Sequence, residues 1–391
     1  MNEKAYGLGT RRSVIRELYE YGKIRAEQYG ADEVFDFSLG NPSVPAPEAV
    51  GRTIERLLKE LPPETLHGYT SAQGDKGCRE RLAEKLNSRF TARFSGDKIY
   101  FTCGAAASLT VTLNALCERG DEVVLLAPYF TEYTVFVEGA GARAKIVKAD
   151  ENLLPDFTAL ENALTDKVRA VIVNTPNNPS GVVYGKETLA ALAALLRNKS
   201  KEYGRCIYLI SDEPYRELVY GDTPAPMPVD YYENTVVCYS YSKSLSLAGE
   251  RIGYIAVPDG TAEGDELYAA ILGAGRMLGF VCAPALFQRV AAECDGLTGD
   301  LSVYRQNRDL LYEGLTALGY ECVYPEGAFY LLMKTLEPNA NAFCERAKAY
   351  GLLLVPSDGF GVEGYVRIAY CVPTERIKRA LPYFERLKAE Y

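Results

Sequence analysis

Residues 206–215 read CIYLISDEPY: five apolar positions, then Ser211, two acids, Pro214 and Tyr215. A short apolar run closed by proline suits a strand covered on both faces, and we place that strand at Cys206–Ser211. An acid directly after such a strand is costly to bury without a partner, which makes Asp212 the first residue of interest. The same texture continues on either side. Lys98–Cys103, Glu122–Ala127, Ala144–Lys148, Ala170–Asn174, Thr235–Ser240 and Gly253–Val257 read as further strands. Helices are expected between them at Ala106–Glu118, Thr131–Glu138 and Glu187–Lys201. This alternation predicts an α/β fold, a mainly parallel sheet sandwiched by helices. Ligands of such sheets bind beyond the carboxyl ends of the strands.

Outside that block the pattern changes. Residues 11–28 have helical spacing and lead into FDFSLGNPSVPAPEAV, a short strand signal followed by a Gly/Pro-rich loop. Beyond residue 285 a long helical stretch, Ala285–Leu318, precedes strand-like segments at 320–324, 328–333, 352–355 and 365–369 and a terminal helix at 373–390. We expect a large domain over 48–285 and a smaller α+β domain built from both chain ends, 1–47 and 286–391. No internal repeat or low-complexity tract interrupts either.

Composition removes several function classes. The 391 residues are 48% hydrophobic and 24% charged, an ordinary globular mixture. The single histidine, His67, excludes multi-histidine metal sites, and no metal is expected. A net charge of −9 argues against a nucleic-acid partner. Ten cysteines are scattered without one C-x-x-C pair, as small core residues of a reducing, cytoplasmic compartment would be. The apolar stretch Leu189–Leu196 is far below the roughly 20 residues that cross a bilayer. No secretory leader is expected from residues 1–7, which run into a charged helix.

The ends of the predicted strands carry the chemistry. Gly104-Ala105-Ala106 opens a helix whose backbone N–H groups could hold an anion, although the same residues suit tight packing. Tyr129-Phe130 could cover a flat ring or fill the core. Asn177-Asn178-Pro179-Ser180-Gly181 is at least a turn. Ser240-Tyr241-Ser242-Lys243 and Gly249-Glu250-Arg251-Ile252-Gly253 follow the sixth strand. Lys243 stands about one strand–helix–strand unit beyond Asp212, so the two should end neighbouring or nearby strands. A salt bridge would explain that pair, but not the hydroxyls and the arginine around the lysine.

Taken in order, Asn-Pro-Ser-Gly, Asp-x-x-Tyr, Ser-x-Ser-Lys and Gly-x-Arg-x-Gly resemble the class I/II aminotransferases, fold-type I pyridoxal-phosphate enzymes of the aspartate aminotransferase type. The likeness runs from Ser38-Leu39-Gly40-Asn41-Pro42 to Tyr365-Val366-Arg367-Ile368-Ala369. It implies pyridoxal 5′-phosphate as cofactor, with Lys243 as its Schiff-base lysine and proton shuttle. Asp212 would pair with the pyridine nitrogen, Tyr215 and Asn178 would hydrogen-bond the ring 3-oxygen, and Phe130 (or Tyr129) would stack on the ring. Gly104, Ala105, Ala106, Ser240, Ser242 and Arg251 would hold the phosphate, with Tyr69 reaching it from the other subunit of a homodimer with shared sites. Arg367, helped by Gly40 and Asn178, would clamp the substrate α-carboxylate.

The implied activity is ping-pong transfer of an amino group from an L-amino acid to a 2-oxo acid such as 2-oxoglutarate. Aspartate or another dicarboxylic acid is the first expectation for the donor, and an aromatic amino acid the second. Arg276 lies near a segment where some relatives offer a partner-subunit contact to a distal carboxylate, but its register is imperfect and it reads first as a surface arginine. His67 reads as an ordinary loop residue near Tyr69. A β-eliminating C–S lyase would use the same Lys, Asp and Tyr. A silent cofactor-binding regulator would need an added DNA-binding domain, for which residues 1–37 are too short.

Overall fold

A computed structural model describes residues 1–10, 14–221 and 223–391. The chain starts with helices Glu3–Thr10 and Val14–Tyr29. The second contains most of the helix expected over 11–28; residues 11–13 lie outside the described residues. The first, which periodicity did not reveal, buries none of its side chains. β1 (Phe35–Asp36) follows, and helices Glu48–Glu60, Pro63–His67 and Lys76–Arg89 lead to the central sheet.

That sheet has seven strands: β2 (Ile99–Thr102), β3 (Glu122–Leu126), β4 (Arg143–Val147), β5 (Val168–Asn174), β6 (Tyr208–Asp212), β7 (Thr235–Ser240) and β8 (Gly253–Ala256). Each lies within two residues of its sequence-predicted bounds. Their order is β2-β8-β7-β6-β5-β3-β4, and β8 alone runs against its neighbours. Side-chain alternation distributes the strands over two cores. Val123, Leu125, Ile172 and Ile210 pack with Leu109 and Leu113 of helix Ala105–Leu116 and with Ile271 of helix Gly264–Leu278. Val124, Val171 and Leu209 face the other way, onto Leu189, Leu192 and Leu196 of helix Lys186–Tyr203. Burial on both faces is why β6 and β7 read as continuous apolar runs.

The long helix expected over 285–318 is two helices, Ala285–Cys294 and Leu301–Ala317. Gly296 sits at φ +86°, and Asp300 caps the second helix through the Ser302 N–H, 2.9 Å away. A left-handed residue followed by a cap ends one helix and starts another. After β9 (Tyr330–Lys334) and helix Ala340–Ala349, the strand expected at 352–355 divides into β10 (Leu352–Leu353) and β11 (Val355–Pro356). Segment 320–324 contributes only the bridge Cys322–Met333 instead of a strand. β12 (Tyr365–Ala369) pairs antiparallel with β11 and β9, and helix Thr374–Lys388 closes the chain. β10 pairs parallel with β1, so the amino-terminal segment is stitched to the carboxyl-terminal part. Phe35 and Phe37 share a core with Leu352, Ile368 and Phe384. Among the described residues no helix is long and apolar enough to cross a membrane.

Candidate active site

Asp212 is the last residue of β6, and Lys243 stands in the single turn Tyr241–Ser244 that follows β7. The two strands are parallel neighbours, so both residues reach the same edge of the sheet. β8 runs the opposite way, which brings its amino-terminal flank, with Arg251, to that edge as well. Together they line a cavity of about 330 Å³, as do Tyr215, Asn178, Gly40 and Arg367. Phe130, Ala105, Ala106, Ser240 and Ser242 complete its expected wall.

Asp212 is buried. Its Oδ2 accepts from the Tyr133 hydroxyl, and its Oδ1 has no hydrogen-bond partner. Burial pushes the carboxyl up to about 7, against the Tyr133 bond and with help from the nearby Glu213 charge. Lys243 is moved the other way. Burial lowers its amine to about 8, opposed by Cys371 and assisted by the positive Arg367 and Arg251. Its Nζ donates to the Gly40 carbonyl at 2.5 Å. A carboxylate with a free buried oxygen and a lysine that loses its proton near neutrality thus face one space, a pattern concentrated at functional sites.

The opposite wall comes from β12 and the loop after β1. Arg367 is buried; it donates through Nη1 to Asn178 Oδ1 at 3.0 Å and through Nη2 to the Ser38 carbonyl at 2.6 Å. Its Nε is buried without a partner. The guanidinium lies between the rings of Tyr330 (4.6 Å) and Phe360 (5.1 Å), which hold its plane. At the other end, Gly104 precedes helix Ala105–Leu116 with φ +85°. A Cβ there would lie 2.9 Å from Arg251 Nη2, so glycine lets the arginine approach the helix start. The Ser240 and Ser242 hydroxyls are 2.7 Å apart. These groups form a cluster of donors suited to an anion.

Some expected residues lie elsewhere. Tyr129 is buried outside the cavity, so of the two it is Phe130 that lines it. Tyr69 is 99% exposed, His67 ends an exposed helix turn, and Arg276 is exposed on helix Gly264–Leu278; none of the three lines the cavity of its own chain. Others were not anticipated. Asn174 donates to the Asp212 carbonyl at 2.9 Å and accepts from the Asn178 N–H at 2.8 Å, bracing two expected residues. Tyr133 carries the one polar contact of the Asp212 carboxylate; it stands in the first turn of helix Glu132–Gly139, three residues after Phe130, and that nearness was a usable signal. Tyr330 sits inside the apolar run of β9, where no pattern distinguishes it from core.

The chain matches the family Aminotransferase class I and II over residues 32–384 and belongs to it. It is an aminotransferase. An aspartate/prephenate aminotransferase of Thermus thermophilus is 32% identical to it over 90% of each chain. Among solved structures, an amino transferase from Eubacterium rectale is 54% identical, with a TM-score of 0.98 over 100% of this chain and 99% of that one. The aspartate aminotransferase of Thermus thermophilus solved with maleate is 29% identical, with a TM-score of 0.84 over 97% and 98%.

Proposed function

We propose that this aminotransferase holds pyridoxal 5′-phosphate in the cavity beside Lys243 and moves an amino group from an L-amino acid to a 2-oxo acid by a ping-pong mechanism. When bound, the cofactor supplies a carbonyl that condenses with amines and a ring that accepts the electron pair released at the substrate α-carbon. The observation that carries the reading is the unpartnered buried Oδ1 of Asp212 in the same cavity as the Lys243 amine. That oxygen matches a protonated ring nitrogen, whose charge would hold Asp212 ionised. Tyr215 and Asn178 are placed to donate to the ring oxygen, and Phe130 to cover the ring face. Ser240, Ser242, Arg251 and the N–H groups of Ala105 and Ala106 would bind the phosphate dianion. Arg367, with Nε still free, would grip the α-carboxylate, flanked by Asn178 and Gly40. Lys243, with its amine near 8, can both give and take a proton at working pH.

We further propose a cytoplasmic homodimer in which Tyr69 of one copy reaches the phosphate in the other; its full exposure leaves it free for such a contact. The division into a large unit over 48–285 and a small one from both chain ends is likewise our reading. The relatives named above are aminotransferases, so the lyase alternative is not favoured. Borohydride reduction of the holoenzyme followed by peptide mapping tests the assignment: the label belongs on Lys243, and a label on another lysine overturns it.

The names of the Thermus relatives favour a dicarboxylic donor such as aspartate; 2-oxoglutarate is our reading for the acceptor. The wall formed by Ile15, Leu39, Leu109 and Phe136 favours the second reading, an aromatic side chain. Arg276 decides between them, because it could reach a substrate only across a subunit contact. If aspartate is the donor, Arg276→Ala lowers kcat/KM for aspartate about tenfold and leaves phenylalanine within about twofold. An unchanged rate with aspartate removes Arg276 from the site.

A further inference from the structure

We propose that Tyr330 is a positioning residue that serves both ends of the site: its hydroxyl directs the proton of Tyr215 into the cavity, and its ring fixes the plane of Arg367. The proposal rests on the cofactor reading above. Tyr330 is buried on β9, and its ring meets that of Tyr215 edge-on, with centroids 5.7 Å apart at 84°. The two hydroxyls are 3.0 Å apart. Tyr330's hydroxyl makes no other hydrogen bond among the described residues, and both tyrosines line the cavity. Two phenols at this distance share one proton, and each has only one to give. If Tyr215 donated to Tyr330, it would have none for a ligand. If Tyr330 donates, Tyr215 accepts from behind and presents its own proton to the cavity.

The surroundings keep this arrangement intact. Burial pushes the Tyr330 phenol up to about 12, with Arg367 and the Tyr215 bond opposing and Cys371 assisting. Burial also raises Tyr215 well above the usual phenol range, reinforced by Tyr330 and Asp212 and opposed by Arg367. Both phenols therefore stay protonated around neutrality. Gly40 contributes by what it lacks: a Cβ at that position would lie 1.8 Å from the Tyr330 hydroxyl. The same glycine accepts from Lys243 through its carbonyl, so Tyr330 and Lys243 are registered against one short loop. Over the ring itself, Arg367 lies 4.6 Å from the centroid.

Tyr330→Phe in the holoenzyme removes the hydroxyl and keeps the ring. Donation from Tyr215 to the cofactor ring oxygen stabilises the deprotonated form of the bound cofactor, so a less directed donor lets the proton stay to higher pH. The pH midpoint of the visible band should rise by about half a unit or more. We expect kcat to fall about tenfold while KM for the amino acid stays within about threefold. Tyr330→Leu, which also removes the ring under Arg367, should in addition raise KM about tenfold. An unshifted midpoint in Tyr330→Phe, with the wild-type band intact, overturns the role of Tyr330 alone. A wild-type holoenzyme with no titrating visible band overturns the cofactor reading and this proposal with it.

Discussion

Lys243→Ala should lose about 10⁴-fold in turnover and still fold and bind the cofactor noncovalently. The loss follows from position. Lys243 alone among the cavity's lysines and arginines has an amine that exchanges a proton near neutrality, because burial and the charges of Arg367 and Arg251 lower it to about 8 despite Cys371. A guanidinium is a donor only and does not serve as a base. The single histidine is outside the cavity, and Asp212, the other group raised toward neutrality there, would be paired with the ring nitrogen in the loaded enzyme. Binding should survive because, on the proposed reading, phosphate, ring face and ring nitrogen would each be held by other residues that line the cavity: Arg251 with the two serines, Phe130, and Asp212. The check is absorbance and single-turnover kinetics on the loaded variant. Residual turnover within tenfold of wild type would place the proton transfer on another group.

Asp212→Asn should separate activity from stability. In the loaded enzyme an amide cannot hold a proton on the ring nitrogen by charge, and turnover should fall about 10³-fold. In protein stripped of cofactor the same change should stabilise. The folded carboxyl titrates at about 7 against 3.8 for the free side chain, so the folded state retains a proton that the unfolded chain releases. Wild-type stability therefore declines as pH rises from about 4 to about 7, and the deficit is complete above that. Asparagine has no such deficit, and its carbonyl oxygen can still accept from Tyr133. Urea unfolding should show Asp212→Asn more stable by about 2–4 kcal/mol at pH 8 and equal to wild type below pH about 4. A gain independent of pH would mean that packing, not desolvated charge, is responsible.

Six of the seven central strands were legible because they are largely apolar and buried on both faces, and the edge strand β4, with Arg143 and Lys145, through its apolar alternation and bounding glycine. Asp212, Lys243 and Arg251 stood out because charge immediately after a buried strand demands an explanation. Tyr133 and Tyr330 did not, since an aromatic residue within an apolar segment looks the same whether it fills the core or supports a site. The break between helices Ala285–Cys294 and Leu301–Ala317 was hidden for another reason: helical spacing resumes after Asp300, and only Gly296 and Gly299 marked the interruption. Helix Glu3–Thr10 buries no side chain, so it left no apolar periodicity to read.

Arg367 donates to the carbonyl of Ser38 across 329 positions, and β1 has no strand partner until β10 exists. This gives the site an order of assembly during synthesis. Once residue 256 has left the ribosome, every strand of the central sheet is available, with Asp212 and Lys243 already at its edge. The arm that carries Gly40 must still wait for β10, which begins at Leu352, and for β12, which begins at Tyr365, to anchor it. A ribosome that stalls between β8 and β12 therefore releases a chain with the reactive amine exposed and no residue in place to choose what reaches it.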